Sequence, residues 1–388
     1  MVIVSDIGIF SSEPPARKEQ TVSELEELRA RVRTFLAAEL ASGGFTPCCD
    51  SWLIGFDPDF SRRLGAAQLI GVMLPTEFGG LGGGAGHRLV VSEELLSAGA
   101  PVAAHWFAER QFAPSVLRHG TVAQQREWVP KVIRGEVCMA IGLSEPDAGS
   151  DLASVRTKAE QVDGGWLISG TKVWTSSAHH ADAMVVLART SGQRHVGLSQ
   201  FIVRLPQQNI DIRPIRLISG EHHFNQVIFD ETFVPQSDVL GEIGNGWSQA
   251  MHELAAERAG PERYLSTFPL IEELVRDLPR DSHSAGDIGR IIADITTFRT
   301  INHKVVELLI SGDTSASEIA ILKAMGTAFE QETVGIALNI AHEPGNPTAL
   351  SPTAMTLLRE AQYQAPGFTI RGGTNEVLRG IVSKGLSK

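Results

Sequence analysis

The sequence has few of the features that mark secreted, membrane-spanning or nucleic-acid-binding proteins. Its three cysteines, Cys48, Cys49 and Cys138, form no C-x-x-C pair, and their odd number argues against a disulfide framework. No run approaches the roughly 18 apolar residues of a membrane span, and the first residues lack the basic stretch and apolar core of a secretory signal. The net charge of −11 would repel a phosphate backbone. These absences predict a cytoplasmic protein with no membrane span and no nucleic-acid partner.

Metal ligation is not expected either. The histidines that stand together are the adjacent pairs His179-His180 and His222-His223. Neighbouring residues on a strand point to opposite faces of the sheet, so such pairs do not converge on one ion. The sequence therefore predicts no metal site.

The N-terminal third of the chain has a helical pattern, from about Ser23 to Arg134. Its first apolar residues recur at helical spacing, which predicts an amphipathic helix capped at Thr21 or Ser23. These residues are Leu25, Leu28, Val32, Phe35 and Leu36. The segment before about Gln20 is expected to be loosely ordered. Further helical patterns cover residues 58–67, 87–97 and 121–133.

From about Gly135 to Leu240 the pattern changes to strands, and after Trp247 helices return. Short apolar or alternating runs cover residues 166–169, 183–188, 199–203 and 226–229, and no long helices separate them. This arrangement predicts an antiparallel sheet rather than a dinucleotide-binding unit. The C-terminal helices are expected at 247–268, with an interruption near Pro261, at 288–309 and at 315–338. We therefore predict an α+β protein with three domains: N-terminal helices (1–134), a middle β domain (135–240) and a C-terminal four-helix bundle (241–388).

Two segments carry the most specific pattern in the chain. Residues 143–151 read LSEPDAGSD, and residues 170–176 read GTKVWTS. Together they resemble the flavin-binding signature of the acyl-CoA dehydrogenase family, (T/S)-E-P-x-A-G-S-D followed by G-x-K-x-W-(I/T)-(T/S). Residues 372–377, GGTNEV, resemble the C-terminal signature of that family. The resemblance covers nearly the whole chain and implies the three-domain fold predicted above, one bound FAD and redox chemistry.

The resemblance also implies which residues hold the cofactor. Taken alone, Trp174 is typical of a core tryptophan, but its position in the motif places it against the isoalloxazine ring, where a broad aromatic surface gives support. The positions of Leu143, Ser144 and Ser176 also contact flavin in the family. Ser150 corresponds to a residue near the pantetheine or phosphate end of CoA.

The C-terminal motif supplies the other part of the predicted cofactor site. Thr374 and Glu376 correspond to positions beside the pyrophosphate and ribityl chain of FAD, and a helix N-terminus there would favour an anion. Family members also hold FAD through an R-x-x-F-G motif of a neighbouring subunit. Residues 276–282 of this chain lack that motif, so the sequence does not predict how the adenine half is held.

The catalytic base shows the main departure from the family pattern. Most members carry a glutamate directly before the G-T dipeptide, where this chain has Gly372. A minority, resembling isovaleryl-, long-chain and actinobacterial steroid-degrading dehydrogenases, carry the base as a Glu-Arg dipeptide on the helix after the β domain. Here that dipeptide is Glu257-Arg258. The resemblance implies that Glu257 takes the α-proton of an acyl thioester while the β-hydrogen leaves as hydride to flavin N5.

Arg258 and Gly372 have predicted roles of their own. On a helical wheel Arg258 falls within the apolar stripe of Trp247, Met251 and Leu254, where a charged side chain needs a partner or a ligand. Gly372 cannot act as a base, but its backbone N–H can stabilise the thioester oxygen in the manner of an oxyanion hole. The alternative for Glu257 is an ordinary solvated helix residue.

The resemblance implies an acyl-CoA or acyl-carrier substrate, an electron-transferring flavoprotein as the acceptor, and a homo- or hetero-oligomer. Two alternatives remain open from the sequence. The loss of the usual base at Gly372 favours a flavin-dependent monooxygenase or oxidase on the same scaffold. The altered residues 276–282 favour one half of a heteromeric complex in which a partner completes the FAD site.

Overall fold

A computed structural model describes residues 15–192, 194–258, 260–279, 284–311, 316–342 and 350–386. Within these residues the chain forms helices, then one sheet, then helices again. This order confirms the predicted α+β fold class. Among the helices of the described ranges, none combines the length and hydropathy needed to cross a membrane.

The N-terminal helices frame the first part of the core. They are α1 (Pro15–Ala41), α2 (Ser51–Ile54), α3 (Pro58–Ala66), α4 (Ala85–Ser97), α5 (Ala103–Phe107), α6 (Ala113–His119) and α7 (Val122–Ile133). Helix α7 has the predicted start, because Thr121 and Gln124 cap each other through side chain and backbone. The predicted cap of α1 is wrong. That helix begins at Pro15, whose fixed φ suits a first turn, so Thr21 and Ser23 lie inside it.

The segment from α5 to α6 was not predicted from the sequence. A π-helical turn at Ala108–Phe112 joins these two helices. Its apolar residues are buried on several sides, Ala104, Trp106, Ala108 and Phe112 among them. A segment that is buried on several sides has no amphipathic period, which is the signal that helix prediction depends on.

The sheet contains eight strands within the described residues. They are β1 (Met139–Gly142), β2 (Lys158–Val162), β3 (Gly165–Ser176), β4 (Ala183–Arg189), β5 (Leu198–Arg204), β6 (Ile210–Ile215), β7 (Phe224–Pro235) and β8 (Val239–Leu240). The strand order is β6-β7-β3-β2-β4-β5-β8, and β1 pairs with β4. Most pairs are antiparallel as predicted, whereas β1 runs parallel to β4 because the chain passes through β2 and β3 before it returns beside β1.

The C-terminal helices follow the sheet directly. They are α8 (Gly246–Arg258), α9 (Phe268–Asp277), α10 (Ala285–Ser311), α11 (Ala316–His342), α12 (Pro352–Phe368) and α13 (Asn375–Leu386). The predicted interruption near Pro261 is present as a 3₁₀ turn at Pro261–Arg263 between α8 and α9. Helix α13 begins where the sequence predicted a helix N-terminus, whereas α12 was not predicted.

One core joins the two groups of helices. Side chains of the N-terminal helices, such as Trp52 and Leu64, belong to the same buried cluster as Leu270, Leu322 and Leu357 of the C-terminal helices. A second cluster lies on the sheet and includes Ile168, Phe201 and Val227. The N-terminal and C-terminal helices therefore share one core.

Candidate active site

Two predicted cofactor segments are joined by a buried ion pair. Lys172 of β3 is fully buried, and its Nζ donates to Glu145 Oε1 at 2.8 Å and to the Leu143 carbonyl at 3.1 Å. The Val173 N–H donates to the Ser144 carbonyl at 2.9 Å. The segments at 143–145 and 172–176 therefore form one unit before any ligand binds.

Both members of this pair are charged at neutral pH. Burial raises the pKa of Glu145, but the charge and hydrogen bond of Lys172 and the bonds from Thr157 and Arg156 outweigh it, so the pKa falls below its usual value. Burial also lowers the pKa of Lys172 to about 8, against the opposing effect of the Glu145 charge. The two residues thus form a buried salt bridge that joins the segments 143–145 and 172–176.

Trp174 lies on the surface of this unit rather than in a core. Its side chain is 56% exposed, and its φ of 59° lies in the left-handed region. The register between β3 and β7 shifts between Lys172 and Thr175, so a bulge turns the indole out of the regular sheet. Phe224 of β7 supports it edge-on, with ring centroids 5.7 Å apart. An exposed indole held in this way provides a flat apolar surface for a ring system.

The other predicted residues of this segment differ in their surroundings. Ser144 and Ser176 are half-buried, as expected for side chains at the edge of a ligand site. Leu143 packs in one cluster with Trp247 and Met251, so α8 lies against this segment. Ser150 is exposed on the loop that follows.

The loop between α12 and α13 is held by positive charges from two helices. Arg258 Nε of α8 donates to the Gly372 carbonyl at 2.9 Å, and Lys323 Nζ of α11 donates to the Gly373 carbonyl at 2.7 Å. Gly372 and Gly373 have φ values of 66° and 96°, which favour glycine. A Cβ on Gly373 would lie 3.2 Å from the Arg258 guanidinium, so the close approach also favours glycine.

The residue before these glycines is fixed just as firmly. Arg371 pairs with the fully buried Asp50, with Nη2 and Oδ1 2.7 Å apart. Its guanidinium stacks on Trp52 at 4.5 Å and on Phe368 at 5.0 Å. The N-terminal helices therefore help to position the 371–373 loop.

The start of α13 follows this loop. Thr374 Oγ1 accepts a hydrogen bond from the Val377 N–H at 3.4 Å. Glu376 is exposed, and hydrogen bonds from its own N–H and from Thr374 lower its pKa below the usual value. Both residues thus lie at the N-terminus of a helix, as predicted for the pyrophosphate side of the site.

The side chain of Glu257 lies outside the described part of the structure, although its backbone belongs to the last turn of α8. The next residue, Arg258, is half-buried and contacts Gly372, as described above. The turn that carries Glu257 is therefore beside the loop that contains Gly372. The role of Glu257 stays a prediction.

Sequence reasoning missed the residues that hold the site together. Glu145 and Lys172 were seen only as motif letters, although their pairing joins the two segments. Lys323 stands in the apolar run AILKAMG, and a lysine in such a run is itself a signal of a buried role. Asp50 and Arg371 carry no local signal, because they are far apart in the sequence.

The residues present suit a flavin. The exposed indole of Trp174 can support the ring, Ser144 and Ser176 can bond its polar edge, and the α13 N-terminus can face a phosphate. Within the described residues, no group accepts a hydrogen bond from the Gly372 or Gly373 N–H. For the adenine half, Arg276 ion-pairs with Glu273 on its own helix, and Arg280 to Ser282 lie outside the described residues.

Comparison with known proteins identifies the family. Models of the N-terminal, middle and C-terminal domains of acyl-CoA dehydrogenases match residues 23–136, 140–232 and 272–387. The chain belongs to the acyl-CoA dehydrogenase family. Members of this family bind FAD and are oxidoreductases that act on CH–CH bonds.

Individual acyl-CoA dehydrogenases agree with this assignment. Acyl-CoA dehydrogenase FadE29 of Mycobacterium tuberculosis is 30% identical over 83% of this chain and 86% of its own length. Acyl-CoA dehydrogenase FadE34 of the same organism is 32% identical over 85% of this chain. The match covers 46% of FadE34, so this chain spans about half the length of that relative. A structure described as the Tcur3481-Tcur3483 steroid ACAD superposes with a TM-score of 0.81 and 26% identity, over 98% of this chain and 99% of that one.

Proposed function

We propose that this chain catalyses the FAD-dependent α,β-dehydrogenation of an acyl thioester, with Glu257 as the base that removes the α-proton. The observation that carries the proposal is the contact between Arg258 Nε and the Gly372 carbonyl. It supports a site in which a carboxylate on α8 takes over the task of the glutamate that most acyl-CoA dehydrogenases carry at the position of Gly372.

The described residues can supply the other parts of such a site. Trp174 would support the isoalloxazine ring, and Ser144 and Ser176 would bond its polar edge. Bound FAD would supply the acceptor for the β-hydrogen. The Gly372 and Gly373 N–H groups can donate to the thioester oxygen and so stabilise the negative charge that develops when the α-proton leaves.

Arg258 has a defined part in this proposal. Its Nε donates to the Gly372 carbonyl, so Arg258 fixes the loop beside the turn of α8 that carries Glu257.

The substrate would be an acyl-CoA or an acyl-carrier protein, and the exposed Ser150 corresponds to a family position near the pantetheine or phosphate end of CoA. An electron-transferring flavoprotein is the proposed acceptor. Fold and family do not select the acyl group.

The test is the anaerobic visible spectrum of the purified flavoprotein during titration with a panel of acyl-CoAs. We expect one of them to bleach the flavin band, and Glu257→Gln to slow the bleaching by about 10²- to 10⁴-fold, because a general base contributes that much. Glu160→Gln, an exposed change on β2, is the matched control and should leave the rate unchanged. Bound flavin that no acyl-CoA bleaches, yet that O₂ reoxidises rapidly after chemical reduction, would replace this proposal with the monooxygenase or oxidase.

A second candidate is one half of a heteromeric acyl-CoA dehydrogenase. It is favoured by residues 276–282, which lack the R-x-x-F-G motif, and by the structure described under two protein names, Tcur3481-Tcur3483. In such a complex the partner would hold the adenine half of FAD. Expression with and without a second family member tests this: a colourless protein that becomes yellow on co-expression supports it, and a yellow homo-oligomer contradicts it.

A further inference from the structure

A buried carboxyl group lies on α8 one turn before the residue proposed as base. Glu253 is 8% exposed. Its Oε1 accepts a hydrogen bond from Ser115 Oγ at 2.7 Å, and its Oε2 accepts one from Gln200 Nε2 at 3.0 Å. Ser115 belongs to α6, Gln200 to β5 and Glu253 to α8. One side chain therefore joins the N-terminal helices, the sheet and the C-terminal helices.

The two hydrogen-bond partners of this carboxyl group, Ser115 from α6 and Gln200 from β5, are polar but uncharged. Among the described residues no ionisable side chain shifts it, including Arg118 and His119 on α6 and His252 on α8. Burial raises the pKa of Glu253 to about 7, and the two hydrogen bonds oppose this only in part.

Its place on α8 links it to the proposed chemistry. Residues four apart lie on the same side of a helix, so Glu253 and Glu257 are neighbours along α8. Arg258 follows directly and bonds the Gly372 carbonyl. The turn from 253 to 258 thus has the hydrogen bonds of Glu253 to Ser115 and Gln200 at one end, a set that we call the Glu253 joint. At its other end are the proposed active-site contacts.

We propose that Glu253 is a positioning residue that works as the neutral acid: it fixes α8 to α6 and β5, and so sets the position of the turn that carries Glu257 and Arg258. This inference rests on the proposed function only for the role of Glu257. The joint itself does not depend on the reaction.

The neutral acid can keep both contacts, because one carboxyl oxygen still accepts from Gln200 Nε2 while the protonated oxygen donates to Ser115 Oγ instead of accepting from it. No charged group among the described side chains shifts Glu253, so its ionised form would be a buried charge without a counter-ion there, which is costly. The folded-state pKa is raised above the usual value, so the stability that this group contributes is fully present at low pH. That stability is lost as the pH rises from the unfolded pKa of about 4.5 to the folded pKa of about 7.

The first experiment compares the melting temperatures of the wild-type flavoprotein and Glu253→Gln from about pH 5 to about pH 8.5. Glutamine keeps the shape but cannot ionise: its Oε1 can accept from Gln200 Nε2, and its amide N–H then donates to Ser115 Oγ. We expect the wild type to fall relative to the variant by about 2 °C or more over this range, while the exposed control Glu160→Gln follows the wild type. Parallel curves for wild type and Glu253→Gln would overturn the proposal, because Glu253 would then not titrate.

The second experiment tests positioning without using activity. At about pH 8, where Glu253 is largely ionised, backbone amides of α8 should exchange with D₂O about threefold or more faster in the wild type than in Glu253→Gln. Equal exchange at α8 would overturn the positioning role, even if the melting curves differ.

The pH profile of flavin reduction separates this inference from the proposed function. If acyl-CoA reduces the flavin, the pH profile of the reduction rate of Glu253→Gln should lack one ionisation near neutrality that the wild type shows, and KM should be unchanged. The same pH profile in both proteins would contradict the inference. If no acyl-CoA reduces the flavin, the proposed function fails, while the melting and exchange experiments still decide whether Glu253 holds α8.

Discussion

The two halves of the candidate site are built in different ways. The half on β3 is assembled locally: strand register, a bulge and the Lys172–Glu145 pair bring 143–145 and 172–176 together. The half between α12 and α13 is held from a distance, by Arg258 of α8, Lys323 of α11 and Asp50 before α2. The first half keeps the motif of the family, and the second departs from it at Gly372.

This difference suggests where the site can change. A locally built surface for the ring depends on few residues and can be retained as a motif. A loop whose carbonyls are held by side chains from other helices can change its own residues, as at Gly372, while the backbone keeps its course. The proposed move of the base to α8 is a change of this second kind.

The largest stability effect should come from the local half. Lys172→Met leaves Glu145 buried without its partner, which costs about 3 to 5 kcal/mol. Urea unfolding of the FAD-free protein measures this free energy. The matched control is Arg194→Met, which breaks the exposed pair with Asp151 and should change stability by less than about 1 kcal/mol. Equal effects of the two changes would contradict a structural role for the buried pair.

A change in the half between α12 and α13 should lower the free energy of unfolding by less than the change at Lys172, but should slow flavin reduction more. Lys323→Met removes a charged donor from the Gly373 carbonyl and should cost about 2 kcal/mol of unfolding free energy. Because the loop then loses one of its two cationic contacts, flavin reduction by acyl-CoA should slow by about tenfold or more. The exposed Lys304→Met serves as the control. An unchanged rate of flavin reduction in folded Lys323→Met would show that the reaction does not need the hydrogen bond from Lys323 to the loop.

The smallest effect on stability should come from Trp174. Because more than half of its side chain is exposed, Trp174→Ala should change the unfolding free energy of the FAD-free protein by only about 1 kcal/mol. The loss of ring stacking should weaken FAD binding about tenfold, with Trp174→Phe in between. Fluorescence titration of the stripped protein with FAD measures this. A large stability loss with unchanged FAD affinity would make Trp174 an ordinary packing residue.

The same division explains what the sequence could predict. The order of helices and strands depends on local periodicity and spacing, so it was predicted; the flavin motif was identified by its resemblance to a family signature. Helices α5 and α6 were missed because their buried residues face several directions. The start of α1 was wrong because Pro15 can begin a helix as well as Thr21 or Ser23 can cap one.

The contacts that tighten the site were beyond local reading. Asp50 and Arg371 are 321 positions apart, and nothing near either residue indicates the other. The joint of Ser115, Gln200 and Glu253 likewise depends on three separate elements. The exposure of Trp174 needs the bulge in β3, which no periodicity reveals.

The central claim is that the carboxylate of Glu257 on α8 takes the α-proton of the acyl thioester. The most direct measurement is the exchange of the α-hydrogens of an acyl-CoA with D₂O, followed by mass spectrometry, for the wild type, Glu257→Gln and Glu160→Gln. The account predicts exchange by the wild type and the control, and a loss of about 10²- to 10⁴-fold in Glu257→Gln. Exchange by Glu257→Gln at the wild-type rate would contradict it and show that another group removes the proton.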